Sequence, residues 1–257
     1  MQEIERHNLQ QIEDLNQRGG RTLSIVDLIE ANTLSLDMAA YLLCKVSGGA
    51  SFLTAARPGG AGKTTLMACL LSFLKPGTRI VAVSDPTCLR SAPADPSRPF
   101  CYLAHEIGSG HYHGYIWNED VSRFLALAQA GHTVASCLHA DTLPELTGIL
   151  VDNLRVPAAL LARVNLILFM HVQHGANNGY RRRVATLYET APGRSGKEDH
   201  AHVYKWEPTT DAFVESAGLN APERWNAAKD LLRGLRKKGV RDFARVRAEI
   251  VGFAGLS

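Results

Sequence analysis

From Ala50 onward the chain alternates short apolar runs with longer segments whose apolar positions recur at helical spacing. The runs are "SFLTAA" (51–56), "TRIVAVS" (78–84), "FCYLAHE" (100–106), "TVASCLH" (133–139) and "NLILFMHV" (165–172). Unbroken apolar runs of this length predict strands buried on both faces, the habit of a parallel sheet covered by helices. The crossovers follow suit. Lys63 to Leu74 predicts a helix, and "EDVSRFLALAQAG" carries Val121, Phe124, Leu125 and Ala128 on one helical face before Gly131 ends it. A further helix is expected from Leu143, with Thr142 and Glu145 at capping-box spacing.

Before this region, residues 1 to about 46 read as helical, with Ser24 and Ser35 as N-caps of "LSIVDLIEA" and "LDMAAYLLCKV". Residues 1–49 are therefore expected to form a short helical segment, a preamble too small for an independent domain, ahead of a core at 50–175. In the remaining part, 176–257, "RRRVATLYET" and "HVYKWEPTTDAFV" predict two antiparallel strands joined by the loop "APGRSGKEDH". Pro222 to Phe253 then alternates apolar and basic residues at helical spacing. The fold class expected is α/β, with a mostly parallel sheet followed by C-terminal antiparallel strands and helices of the same domain. A Pro-rich stretch, "DPTCLRSAPADPSRP" (85–99), interrupts the rhythm, and no internal repeat is present.

Composition narrows the picture only a little. The 257 residues are 46% hydrophobic, enough for one large core, and the net charge of +3 gives no global argument for nucleic acid. Five scattered cysteines without a C-x-x-C pair read as buried thiols of a reducing compartment. The charged N-terminus lacks a secretory h-region, and no window reaches the roughly 20 apolar residues of a membrane span. The expectation is a cytoplasmic protein, recruited to a membrane if it works there.

The chemistry concentrates after the first run. "RPGGAGKTT" follows a strand and opens a helix, the context that a phosphate-binding loop of the form G-x-x-x-x-G-K-[ST] requires, although Arg57 stands at its first glycine. Gly59, Gly60, Ala61 and Gly62 would turn backbone N–H groups around phosphate oxygens, Lys63 would reach the β/γ-phosphates, and Thr64 would hold Mg²⁺. Thr65 suits either a contact to the α-phosphate or helix packing. Position 57 only begins the turn, so Arg57→Gly is expected to leave ATP binding within a few-fold.

Three more residues arrive at strand ends. Glu106 ends the third run, where a carboxylate can orient attacking water and hold Mg²⁺ through water. His139 ends the fourth, followed by Asp141, and could hydrogen-bond the γ-phosphate or report its loss to a neighbouring subunit. Asp85 ends the second and could polarise water or bind Mg²⁺ indirectly. Plainer alternatives stand beside them: a solvent-facing acid, a capping or packing histidine, and an Asp-Pro turn. His105, His111 and His113 in "HEIGSGHYH" could suggest a metal, but no fourth ligand can be named.

Taken together these blocks resemble the secretion ATPase superfamily of type II secretion, type IV pili, type IV secretion and the archaellum, over about residues 50–253. "GHTVASCLHADT" (131–142) is similar to that family's His box, and the tail resembles its archaeal and tight-adherence branch. The resemblance implies a RecA-like P-loop core with Lys63 and Thr64 in Walker A roles, Asp85 as Asp box, Glu106 as Walker B glutamate and His139 as His box. It further implies ATP and Mg²⁺ as ligands, a hexameric ring, and a membrane platform protein as partner. Departures are Arg57, His105 in place of glycine, Gly108 in place of an arginine, the loss of both Asp-box glutamates in "SDPTC", and a preamble far shorter than the family's N-terminal domain. Arg90 and Arg98 are candidates for a completing arginine.

Two other functions fit parts of the sequence. A regulatory nucleotide-binding subunit with little hydrolysis would explain the reduced Asp box. A nucleic-acid-dependent ATPase would use Arg181–Arg183 and the basic segment from Arg224 to Arg247, but no aromatic stacking pattern interleaves those charges, so nucleic acid is not the expected partner.

Overall fold

The computed structural model describes residues 2–16, 19–90, 100–110, 114–174, 179–190 and 200–255. Arg98, His111, His113 and the loop at 191–199 lie outside the described residues. Three helices come first: α1 (Gln2–Glu13), α2 (Ile25–Glu30) and α3 (Leu36–Ser47). The core runs β1 (Phe52–Ala55), α4 (Lys63–Leu71), β2 (Arg79–Ala82), a 3₁₀ turn (Pro86–Leu89), β3 (Phe100–Leu103), β4 (Glu106–Ile107), β5 (Tyr115–Ile116), α5 (Glu119–Gln129) and β6 (Thr133–Leu138). It continues through α6 (Leu143–Thr147), a π-helical stretch (Gly148–Asn153), α7 (Ala158–Leu161) and β7 (Leu166–His174). Last come β8 (Tyr180–Thr190), β9 (His200–Glu207), β10 (Ala212–Glu215), α8 (Trp225–Lys237) and α9 (Phe243–Ala254).

These strands form one sheet in the order β10–β9–β8–β7–β1–β6–β3–β2. The five strands from β7 to β2 are mutually parallel, and β8, β9 and β10 add to β7 as antiparallel hairpins. This is the α/β class expected, a mostly parallel sheet extended by C-terminal antiparallel strands. Alternate side chains on each strand serve opposite faces. Phe52, Cys137, Leu166 and Leu168 pack with α1 to α4, α8 and α9, whereas Leu53, Leu138, Ile167 and Phe169 pack with α5 to α7.

The N-terminal helices belong to that first layer rather than preceding it. Ile25, Val26, Met38, Tyr41, Leu42 and Leu43 are fully buried. Both expected caps are present: Ser35 Oγ accepts from Met38 N at 3.0 Å, and Asp27 Oδ2 accepts from Ser24 N at 2.7 Å. α1 covers the outer edge of the sheet. The Asn8 amide donates to Thr78 O and accepts from Ile80 N, each at 2.8 Å, imitating a further strand beside β2. The far ends of the chain meet where Arg247 of α9, 3% exposed, pairs with Glu5 and donates to Ser72 O and Leu74 O at the end of α4.

Several expectations need correction. The third run is not one strand through residue 106: pairing stops at Leu103, and Gly114 O takes the N–H groups of His105 (2.7 Å) and Glu106 (3.4 Å). The chain is thereby redirected so that Glu106 and Ile107 pair with β5, and Ile107 also opposes Leu138. The segment expected as a single strand over 202–214 is two strands, β9 and β10, joined at a turn that places Asp211 at φ 52°. Only Cys69, Cys101 and Cys137 are buried thiols, while Cys44 and Cys88 are half-buried.

Candidate nucleotide site

The loop between β1 and α4 has the backbone that wrapping an anion demands. Gly60 and Gly62 adopt φ 78° and 98°, left-handed conformations that side chains resist. Gly62 is constrained twice, because a Cβ there would stand 3.2 Å from Arg182 Cδ and 3.3 Å from Met170 Cε. Its successor Lys63 begins α4, whose first-turn N–H groups and positive dipole end face the loop. Thr64 and Thr65, half-buried, line the same cavity of about 830 Å³ as Gly59, Gly60 and Ala61. The cavity extends from the loop past Arg181–Arg183 to α2.

Lys63 is 7% exposed, and its Nζ donates to Ala56 O at 3.1 Å. Burial lowers its pKa from the ordinary lysine value, against the opposing pull of Glu106. A lysine held inside by a carbonyl and a nearby carboxylate is poised for a stronger anion.

Strand order explains what surrounds it. β6 lies between β1 and β3, so a residue leaving the carboxyl end of β6 falls between the phosphate loop and Glu106. His139 is that residue. Its Nδ1 lies 3.3 Å from Lys63 Nζ, and its Nε2 lies 3.1 Å from Glu106 Oε1. Arg57 O, which can only accept, takes a hydrogen bond from His139 Nδ1 at 2.8 Å. Gly108 leaves this carboxylate room, since a Cβ there would stand 3.2 Å from Glu106 Oε1.

Arg57 joins the loop to the turn after β6. Its N–H donates to Asp141 Oδ1 at 2.7 Å, and its guanidinium pairs with Glu145 and lies 3.9 Å from Asp141 Oδ2. Glu145 in turn accepts from Asp141 N at 2.9 Å, so it caps one residue earlier than the expected capping box, while Thr142 Oγ1 accepts from Glu145 N at 3.3 Å.

Asp85 is placed apart. It follows β2, with β3 and β6 between that strand and β1, a lateral offset of about 14 Å at three strand spacings. Its carboxylate accepts from Thr87 N at 2.8 Å, capping the 3₁₀ turn, and this bond lowers its pKa. Neither Asp85 nor Arg90 is among the described residues lining the cavity.

Sequence reasoning missed Arg182. Its Nε donates to Gly60 O at 2.9 Å, which places it against the phosphate loop rather than on a basic surface. Arg183 is equally removed from any such surface, being 5% exposed and paired with Asp211 through Nε and Nη2 at 2.7 Å each. The run of three arginines carried no signal for either role, because both depend on how β8 lies against β7.

No family model matches the sequence. An uncharacterized protein of Methanocaldococcus jannaschii is 27% identical over 221 residues, which cover 77% of this chain but 39% of that relative's length. Among solved structures, the VirB11 ATPase of the Brucella suis type IV secretion system, in complex with sulphate, is similar with a TM-score of 0.42 and 20% identity over 63% of this chain and 53% of its own. The Legionella pneumophila ATPase DotB gives 0.37 and 12% over 89% and 60%.

Proposed function

We propose that this chain binds ATP at Gly59–Thr65 and hydrolyses it as a motor ATPase of the secretion or pilus-assembly type. The observation that carries this reading is the placement of His139 between Lys63 and Glu106 at the mouth of a glycine-turned loop. Backbone N–H groups of the loop and the start of α4 bind the phosphates, and Lys63 neutralises the β/γ-phosphate charge. Glu106, a carboxylate at the same sheet edge, orients the attacking water. With a proton on each ring nitrogen, His139 donates from Nδ1 to Arg57 O and from Nε2 to that carboxylate, which it thereby holds in place. The donor set suits Mg²⁺, which Thr64 would hold by its hydroxyl and Glu106 through water, and which would supply further charge neutralisation.

The motor part of the proposal comes from the sequence resemblance: a ring oligomer, hexameric in that family, acting on a membrane platform protein. No helix among the described residues is long and apolar enough to cross a membrane, so the platform would recruit the chain to the membrane's inner face. The test is ATP turnover by the purified protein with Mg²⁺. Turnover unchanged on replacing both Lys63 and Glu106 by alanine sinks the assignment.

The position of Asp85 favours a second reading, a nucleotide-binding regulatory subunit with little hydrolysis, since that carboxylate is engaged in a cap away from the cavity. Calorimetry showing ATP binding without turnover, with a membrane partner present, would select it. Nucleic-acid-dependent activity has less support, because Arg183 and Arg247 are buried in ion pairs.

A further inference from the structure

The phosphate loop must keep its N–H groups turned inward, yet glycines make its peptide planes easy to flip. The plane joining Gly60 to Ala61 is bordered by Gly60 at φ 78° and stands one residue before Gly62 at φ 98°. In a trans peptide the carbonyl and the following N–H point in opposite directions, so fixing one fixes the other. Arg182 supplies that fixture: its Nε donates to Gly60 O at 2.9 Å.

The side chain is itself braced. Its Cδ packs beside Gly62, in company with Met170 Cε, and its guanidinium lies over the Tyr180 ring at 5.6 Å from the centroid. Arg182 comes from β8, which reaches the loop only because it returns antiparallel beside β7, with Arg182 opposite Val172. A residue more than a hundred positions away in sequence thus controls one peptide plane of the loop.

We propose that Arg182 is a positioning residue of the phosphate loop: by holding the Gly60 carbonyl outward it presents the Ala61 N–H to a nucleotide phosphate. The role rests on the reading of this loop as an ATP site. Its essential element is the donor at Nε, with the guanidinium charge secondary.

Calorimetric titration of the full chain with MgATP separates these contributions. Arg182→Met keeps the packed stem and loses the donor, and should weaken binding about five-fold, the net worth of one ordinary hydrogen bond. Arg182→Gln places an amide nitrogen where Nε stood and should recover most of that loss without any charge. Arg182→Lys keeps the charge but has a methylene at that place, and should bind as weakly as Arg182→Met. Should the methionine variant not fold, the other two decide: glutamine tighter than lysine supports the proposal, and lysine equal to or tighter than glutamine overturns it. Binding that is unchanged in all three variants also overturns it. Lys63→Ala serves as the control for the site. If it loses binding while the Arg182 variants do not, only the role of Arg182 fails; if parent and Lys63→Ala bind alike, the ATP site itself is wrong.

Discussion

His139 Nε2 stands 3.1 Å from Oε1 of Glu106, and the same ring touches Lys63 Nζ and the Arg57 carbonyl. One imidazole therefore spans the groups proposed to bind phosphate and to orient water. Glu106 is mostly buried, its side chain 13% exposed, so its direction depends on this neighbour. For His139→Ala the expected result is a fall in kcat of up to about 100-fold, the cost of a misplaced reacting group, with ATP affinity within a few-fold. Steady-state kinetics with a binding titration distinguishes the two. An equal loss in affinity and kcat would move His139 from positioning water to gripping the phosphate.

Arg57 offers a contrast between side chain and backbone. Its guanidinium is 68% exposed, and exposed ion pairs are worth about 0–1 kcal/mol. Its N–H and carbonyl, which glycine would also supply, make the bonds to Asp141 and His139. Arg57→Gly is expected to leave MgATP affinity within a few-fold, whereas Asp141→Ala, which strands the N–H of residue 57, should lower it further. Titrating both variants side by side checks the order, and the reverse order would show that the side chain itself acts in the site.

The parts legible in the sequence were those with local signals. Apolar runs marked the parallel strands, and the Gly-Lys-Thr triplet between a strand and a helix marked the loop. Glu106 and His139 were legible because each follows a strand, and strands of a parallel sheet deliver their ends to one edge. What failed depended on lateral order or on distant partners. Asp85 shares the edge with His139, but no sequence pattern says that β2 is outermost. The break after Leu103 arises from Gly114 O, eleven positions further along the chain and close only once folded. Arg182 and Arg183 look alike in sequence, yet successive residues of a strand face opposite sides, so one reaches Gly60 and its neighbour reaches Asp211.

The N-terminal helix makes a stability prediction. Asn8 is 3% exposed, and its amide satisfies both Thr78 O and Ile80 N on the outer strand. Asn8→Ala leaves that buried donor and acceptor unpaired, an expected loss of about 2 kcal/mol. Chemical denaturation measures the loss, and amide exchange locates it: Ile80 N–H should exchange faster while amides of β1 and β6 follow the global change only. A loss below about 0.5 kcal/mol would mean that water replaces the asparagine at the edge.

The Arg183–Asp211 pair makes stability depend on acid. The Arg183 hydrogen bond is the main cause holding the Asp211 pKa well below the usual carboxylate range, with Trp206 Nε1 donating at 2.9 Å in support. Folding therefore favours the ionised carboxylate. Its contribution is fully present above the unfolded-state value of about 3.9 and is lost as pH falls through the lower folded value. Asp211→Asn tests this cleanly, because asparagine also tolerates φ 52°. At pH 7 the variant strands the buried Arg183 charge and should be less stable by about 2 kcal/mol, below the cost at a fully buried pair because Asp211 is 34% exposed. Urea denaturation of both proteins from pH 7 down to pH 2 should show the gap narrowing only below about pH 4. A gap that stays constant across that range would assign the effect to hydrogen-bond geometry rather than to the charge on Asp211.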